Sequence, residues 1–137
     1  MGSSDMSKPI AIMEVSIMTF AGEGYTVKYD LTKNVVSWRD NFMWNNNFTR
    51  AMNEETAKLI RDSIPELGVL DWMKAYNDGK NIDKHGDKSV LPGEWKISIE
   101  FEDKSKLTSG ASQHFPKKWN SLRSLIEKTT GCRFSLR

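Results

Sequence analysis

The chain has 137 residues, 38% of them hydrophobic and 28% charged, with a net charge of +2. That length suits one domain with a real core, and the near balance of charge excludes capture of a polyanion by bulk charge alone. A single cysteine, Cys132, excludes an internal disulfide and a multi-cysteine metal site, and no apolar run approaches the roughly 18 residues of a membrane span.

Residues 1–8 read as a tail, disordered or left by expression cloning, and 9–137 as a single domain. No secretory leader is visible, which with the lone cysteine points to a reducing cytoplasm. Met13, Val15, Ile17 and Thr19 alternate with Glu14, Ser16 and Met18, the period-2 pattern of a half-buried strand. A turn at Ala21–Gly24 leads to a second strand in which Tyr25, Val27, Tyr29 and Leu31 alternate with Thr26, Lys28 and Asp30. Thr32-Lys33-Asn34 turns the chain again into a short third strand, Val35 to Trp38. Strands joined this tightly form an antiparallel meander.

The stretch from Arg39 to Arg50 (RDNFMWNNNFTR) has no period. It reads as an ordered loop that tucks Phe42, Trp44 and Phe48 under the sheet. The competing reading is an exposed aromatic patch for a partner, because interface cores favour aromatics and Met.

Asn53 can cap a helix with Glu54 and Glu55 in its first turn, where the dipole favours acids. Ala57, Ile60, Ile64 and Leu67 form its inner face, and Pro65 is expected to end or kink it. Val69, Trp72, Met73 and Tyr76 then follow helical spacing. Asn77 to Gly93 reads as a long polar loop.

Trp95, Ile97, Ile99 and Phe101 alternate with Lys96, Ser98, Glu100 and Glu102, the clearest strand in the chain. Asp103-Lys104-Ser105 turns it into an edge strand from Lys106 to Ser109, which Gly110 ends. That edge could pair with a copy of itself, although Lys104 and Lys106 resemble edge protection; the oligomeric state stays open. Pro116 suits the first turn of a helix whose apolar face is Phe115, Trp119, Leu122 and Ile126, with Gly131 as its stop. The strand and helix faces are expected to pack on each other. Cys132 to Leu136 alternates again and suits a last strand.

Gly68-Val69-Leu70-Asp71-Trp72 with Tyr76, Gly93-Glu94-Trp95, Ser109-Gly110, Phe115-Pro116, Trp119 and Leu122 together resemble a group of small uncharacterised bacterial proteins. The resemblance spans Gly68 to Ile126 and implies fold and a bacterial or phage origin. Pro92 stands where the group has Asp before Gly, and Ser112 or Gln113 where it has Asn.

Chemistry-bearing patterns are scarce. Asn81, Asp83, His85 and Gly86 mimic the start of a calcium loop, but Pro92 occupies the position of its bidentate Glu. His85 and His114 lack a metal-ligand partner at zinc spacing. No nucleophile elbow, P-loop or dinucleotide fingerprint occurs. No cofactor, metal or catalytic residue is expected, and the chain does not read as an enzyme.

Charge is asymmetric. From His114 onward six basic residues face one acid, a net of +5, while the rest carries −3. Lys117 and Lys118 precede a helix N-terminus, where the dipole disfavours cations.

These features predict an α+β domain: an antiparallel sheet of about four to six strands with two or three helices on one face, in the order βββααββα(β). They point to a small protein-binding or inhibitor module, possible anti-defence proteins included, that acts by docking. The candidate contacts are Lys117, Lys118, Arg123 and Lys128 on the last helix, with Phe42 and Trp44 in the aromatic stretch. The alternative is a nucleic-acid-binding protein that uses the basic helix face.

Overall fold

Alternating sequence becomes a six-stranded antiparallel sheet in the computed structural model, which describes residues 9–19, 24–40, 47–78, 86–116 and 118–134. The strands are β1 (Ile10–Met18), β2 (Gly24–Asp30), β3 (Val35–Asp40), β4 (Phe48–Ala51), β5 (Gly86–Phe101) and β6 (Lys106–Pro116). The helices are α1 (Glu54–Leu67), α2 (Val69–Asp78) and α3 (Trp119–Thr130). Spatial order is β4-β3-β2-β1-β5-β6, so the helical pair lies in the crossover from one edge to the other half of the sheet. The α+β class, the sheet and the three helices follow the sequence pattern.

Register sorts every strand residue to one of two faces. Val15 lies opposite Val27 and Ile97, and Val27 opposite Trp38. These residues, with Met13, Ile17, Tyr29, Val36, Trp95, Ile99 and Phe101, are buried under the helices. The helices contribute Ala57, Ile60, Ile64, Val69, Trp72, Met73, Trp119, Leu122 and Ile126 to the same core. Trp95 sits among the rings of Tyr76, Trp119 and Trp72, at centroid distances of 5.1, 5.9 and 6.1 Å. The strand and helix faces expected to meet do meet.

Helix ends obey local chemistry. Asn53 accepts a hydrogen bond from the Thr56 N–H at 2.8 Å, which satisfies one of the first-turn donors that have no partner within the helix. Gly68, at φ 71°, closes α1 with its N–H on Ile64 and Pro65 carbonyls, and α2 starts at the next residue. That left-handed conformation is what a side chain with a Cβ resists. At α3, Arg50 of β4 donates from Nη2 to the Thr130 carbonyl at 2.8 Å. A cation at a helix C-terminus meets the negative end of the dipole.

Several expectations need correction. The aromatic stretch is not loop to its end: Phe48–Ala51 pairs with β3, because Phe48 can lie opposite Trp38 and Thr49 opposite Ser37. Residues 41–46 lie outside the described residues. Pro65 does not end α1, which continues to Leu67; in the last turn few backbone bonds remain for a proline to break. The second half of the stretch read as a polar loop is strand, since β5 starts at Gly86 and reaches Phe101 across two register shifts; residues 79–85 lie outside the described residues. Its partner β6 does not stop at Gly110 but runs to Pro116. Pro116 therefore ends a strand rather than opening a helix, and Lys118 takes the N-cap position of α3. Cys132 to Phe134 is not a strand; Phe134 folds back into the core with no exposed surface. Cys132 is half-buried.

The β2–β3 turn provides a test by pH. Partial burial raises the Asp30 pKa, but the Thr32 hydroxyl and the Lys33 and Thr32 N–H groups outweigh it, so the carboxyl sits below its ordinary value. A depressed folded pKa gives stability that is complete above the unfolded value and is lost as pH falls through the folded one. Asp30→Asn should therefore lower stability at neutral pH and shrink its acid-side decline, as measured by urea midpoints between about pH 2 and 7. An unchanged acid limb would contradict the assignment.

Candidate functional site

The helices cover one face of the sheet, and the residues that alternate with the core form the other. Register sets them in rows across the strands. One row runs Thr49, Ser37, Lys28, Glu14, Ser98, Thr108. The next runs Arg39, Thr26, Ser16, Lys96, Gly110. Hydroxyls of neighbouring strands touch: Ser16 and Thr26 at 3.0 Å, Ser98 and Thr108 at 3.3 Å, Ser37 and Thr49 at 3.4 Å. Such cross-strand pairs stabilise the sheet without needing a covering layer.

Two clefts among the described residues border Glu14 on this face. The larger of the two, about 670 Å³, lies over β1, β5 and β6, is lined by Glu14, Ser16, Glu94, Lys96, Thr108 and Gly110 among others, and reaches round the β6 edge to Asn77 of α2. The smaller, about 460 Å³, lies over β1 to β4 and includes Lys28, Arg39, Asn47 and Thr49. At the paired positions the face carries four cations (Lys28, Arg39, Lys96, Lys106) and four anions (Glu14, Asp30, Glu94, Glu100). Lys28 lies directly opposite Glu14, and Lys106 approaches Glu100 at 3.7 Å. The field is therefore one of alternating sign, which suits a surface of complementary mixed charge better than a polyphosphate.

The residues singled out on the last helix do not form one patch. Lys118 is the exposed N-cap residue and makes no side-chain capping bond. Arg123 is half-buried and paired with Glu127 at 3.5 Å, and the same Glu127 accepts the Phe134 N–H at 2.8 Å. Arg123 thus helps to hold the C-terminal tail. Lys128 is exposed in the last turn. At 100° per residue, five-residue steps separate Lys118, Arg123 and Lys128 by about 140° each around the helix. Lys117, Phe42 and Trp44 lie outside the described residues, as does His85.

The open face was not singled out by sequence. Its residues were legible as the wet half of each alternating strand. Which of them share a row depends on register and strand order, and those are long-range.

Among the described residues no group of three or more His, Cys, Asp or Glu could hold a metal ion, and no helix is long and apolar enough to cross a membrane.

No family model matches the chain, and no solved structure matches it. Among curated proteins it is similar to phosphoglycerate kinases of Staphylococcus aureus, strains JH9, Newman and Mu3 among them, at 26% identity over 113 residues. The match covers 82% of this chain, which spans only 26% of the length of those relatives.

Proposed function

We propose that this chain is a small non-catalytic docking module that binds a partner protein through the open face of its sheet. The observation that carries the reading is the six-stranded face that no described residue covers, with eight interspersed charges and two clefts that both border Glu14. Mixed charge steers encounter and fixes register between proteins, while the clefts admit projecting side chains. A bacterial or phage-encoded inhibitor working in the cytoplasm fits this class, since such a protein acts by covering a surface and needs no reaction centre.

Two double variants test the surface. Arg39→Glu/Lys96→Glu reverses exposed charges that lie opposite hydroxyl-bearing residues, so the fold should tolerate it. Lys118→Glu/Lys128→Glu reverses the helix cations. In affinity capture from host extract, the open-face variant should lose the wild-type partner at least about tenfold and the helix variant should keep it. Loss in the helix variant alone, with capture of nucleic acid that weakens steeply with salt, would favour the alternative reading.

A further inference from the structure

β6 is an edge strand of eleven residues, whereas the opposite edge, β4, has four. Edge strands are normally blunted by Lys, Pro, inward charges or bulges. Between Lys106 and Pro116 the β6 sequence is LTSGASQHF, nine residues with no Lys, Arg, Asp or Glu. Its regular ladder with β5 runs from Lys106 to Ser112, and the register shifts lie beyond it.

Hydrogen bonds show which backbone groups point outward. The Phe101 N–H bonds the Ser105 carbonyl at 2.9 Å, so the odd-numbered β6 residues face β5. The even-numbered ones face out, and the Thr108 carbonyl accordingly accepts Asn77 Nδ2 at 2.9 Å. Gly110, exposed and without a side chain, lies within the regular ladder that runs from Lys106 to Ser112.

We propose that β6 pairs antiparallel with β6 of a second copy, about a two-fold axis at Gly110, to join two sheets into one. In that register Gly110 meets its own copy and Thr108 lies opposite Ser112 of the partner subunit, whose N–H takes the place of Asn77 Nδ2 on the Thr108 carbonyl. An isologous antiparallel pair uses one strand twice, and a stretch such as 107–115, with no Lys, Arg, Asp or Glu, meets its own copy without repulsion between like charges. The pairing uses the sheet edge and is independent of the docking role of the face.

Light scattering coupled to size exclusion tests it, with the chain loaded at about 5 and 500 µM to bracket the weak affinity of a small interface. The mass should rise from 15.7 kDa towards twice that value. Ser112→Pro removes one outward N–H at a position where an edge tolerates proline, and Ser112→Lys adds an edge charge. Each should weaken dimerisation at least tenfold with tryptophan fluorescence unchanged. If the proline variant unfolds, the lysine variant decides. A wild-type chain that stays monomeric at the higher concentration overturns the proposal, and so does a dimer that survives in the folded variants.

Discussion

Phe134→Ala should lower the free energy of unfolding by about 3–5 kcal/mol, the range for removing a fully buried aromatic. Phe134 belongs to no helix or strand, yet it has no exposed surface. Its ring lies 5.8 Å from Trp38, 6.4 Å from Tyr25 and 6.4 Å from Trp119, and so joins strands β2 and β3 to helix α3. The Glu127 carboxylate fixes the backbone there through the Phe134 N–H. The tail thus closes the core beneath the last helix. Urea unfolding followed by tryptophan fluorescence measures the effect, and Phe134→Leu should recover much of it because an apolar side chain of nearly the same size refills the space. A loss below about 1 kcal/mol for the alanine variant would show that the tail does not belong to the core.

Trp95→Ala is expected to cost as much, again about 3–5 kcal/mol. Trp95 is 2% exposed, and it is the ring to which the second helical segment, through Trp72 and Tyr76, and the last helix, through Trp119, both pack. Its removal opens a cavity shared by strand and helices, which cannot all close in on it at once. The melting temperature should fall by about 10 °C or more. Trp95→Phe should cost clearly less, since it keeps the aromatic contact with smaller volume loss. Equal losses for the two variants would mean that the indole is not held by the surrounding rings. The two sites share Trp119 as a neighbour, so the double variant should depart from additivity.

The sheet's alternation, the α1 cap at Asn53, the turn at Asp103 to Ser105 and the stop at Gly131 were all legible locally, because each depends on residues within one turn or one strand. What escaped depended on pairing at a distance. Phe48–Ala51 looks aperiodic alone and becomes a strand only because β3 offers an edge. Gly110 to Pro116 has too little hydrophobic alternation to announce itself, yet the far half of β5 holds it in the sheet. Phe134 sits after a helix stop, where the alternation suggests a strand. The basic residues after His114 are numerous in sequence, but helical geometry disperses them and Glu127 engages one. The open face had the converse fate: its charges are scattered through the chain, and only register assembles them.

The docking account can be tested by footprinting. Lysine acetylation of the free chain and of its complex with the captured partner would be compared by mass spectrometry. Lys28 and Lys96 lie on the open face, while Lys118 and Lys128 lie on the last helix. Docking through the sheet predicts that Lys28 and Lys96 lose reactivity in the complex, while Lys118 and Lys128 keep theirs. Protection of Lys118 and Lys128, with Lys28 and Lys96 as reactive as in the free chain, would contradict it.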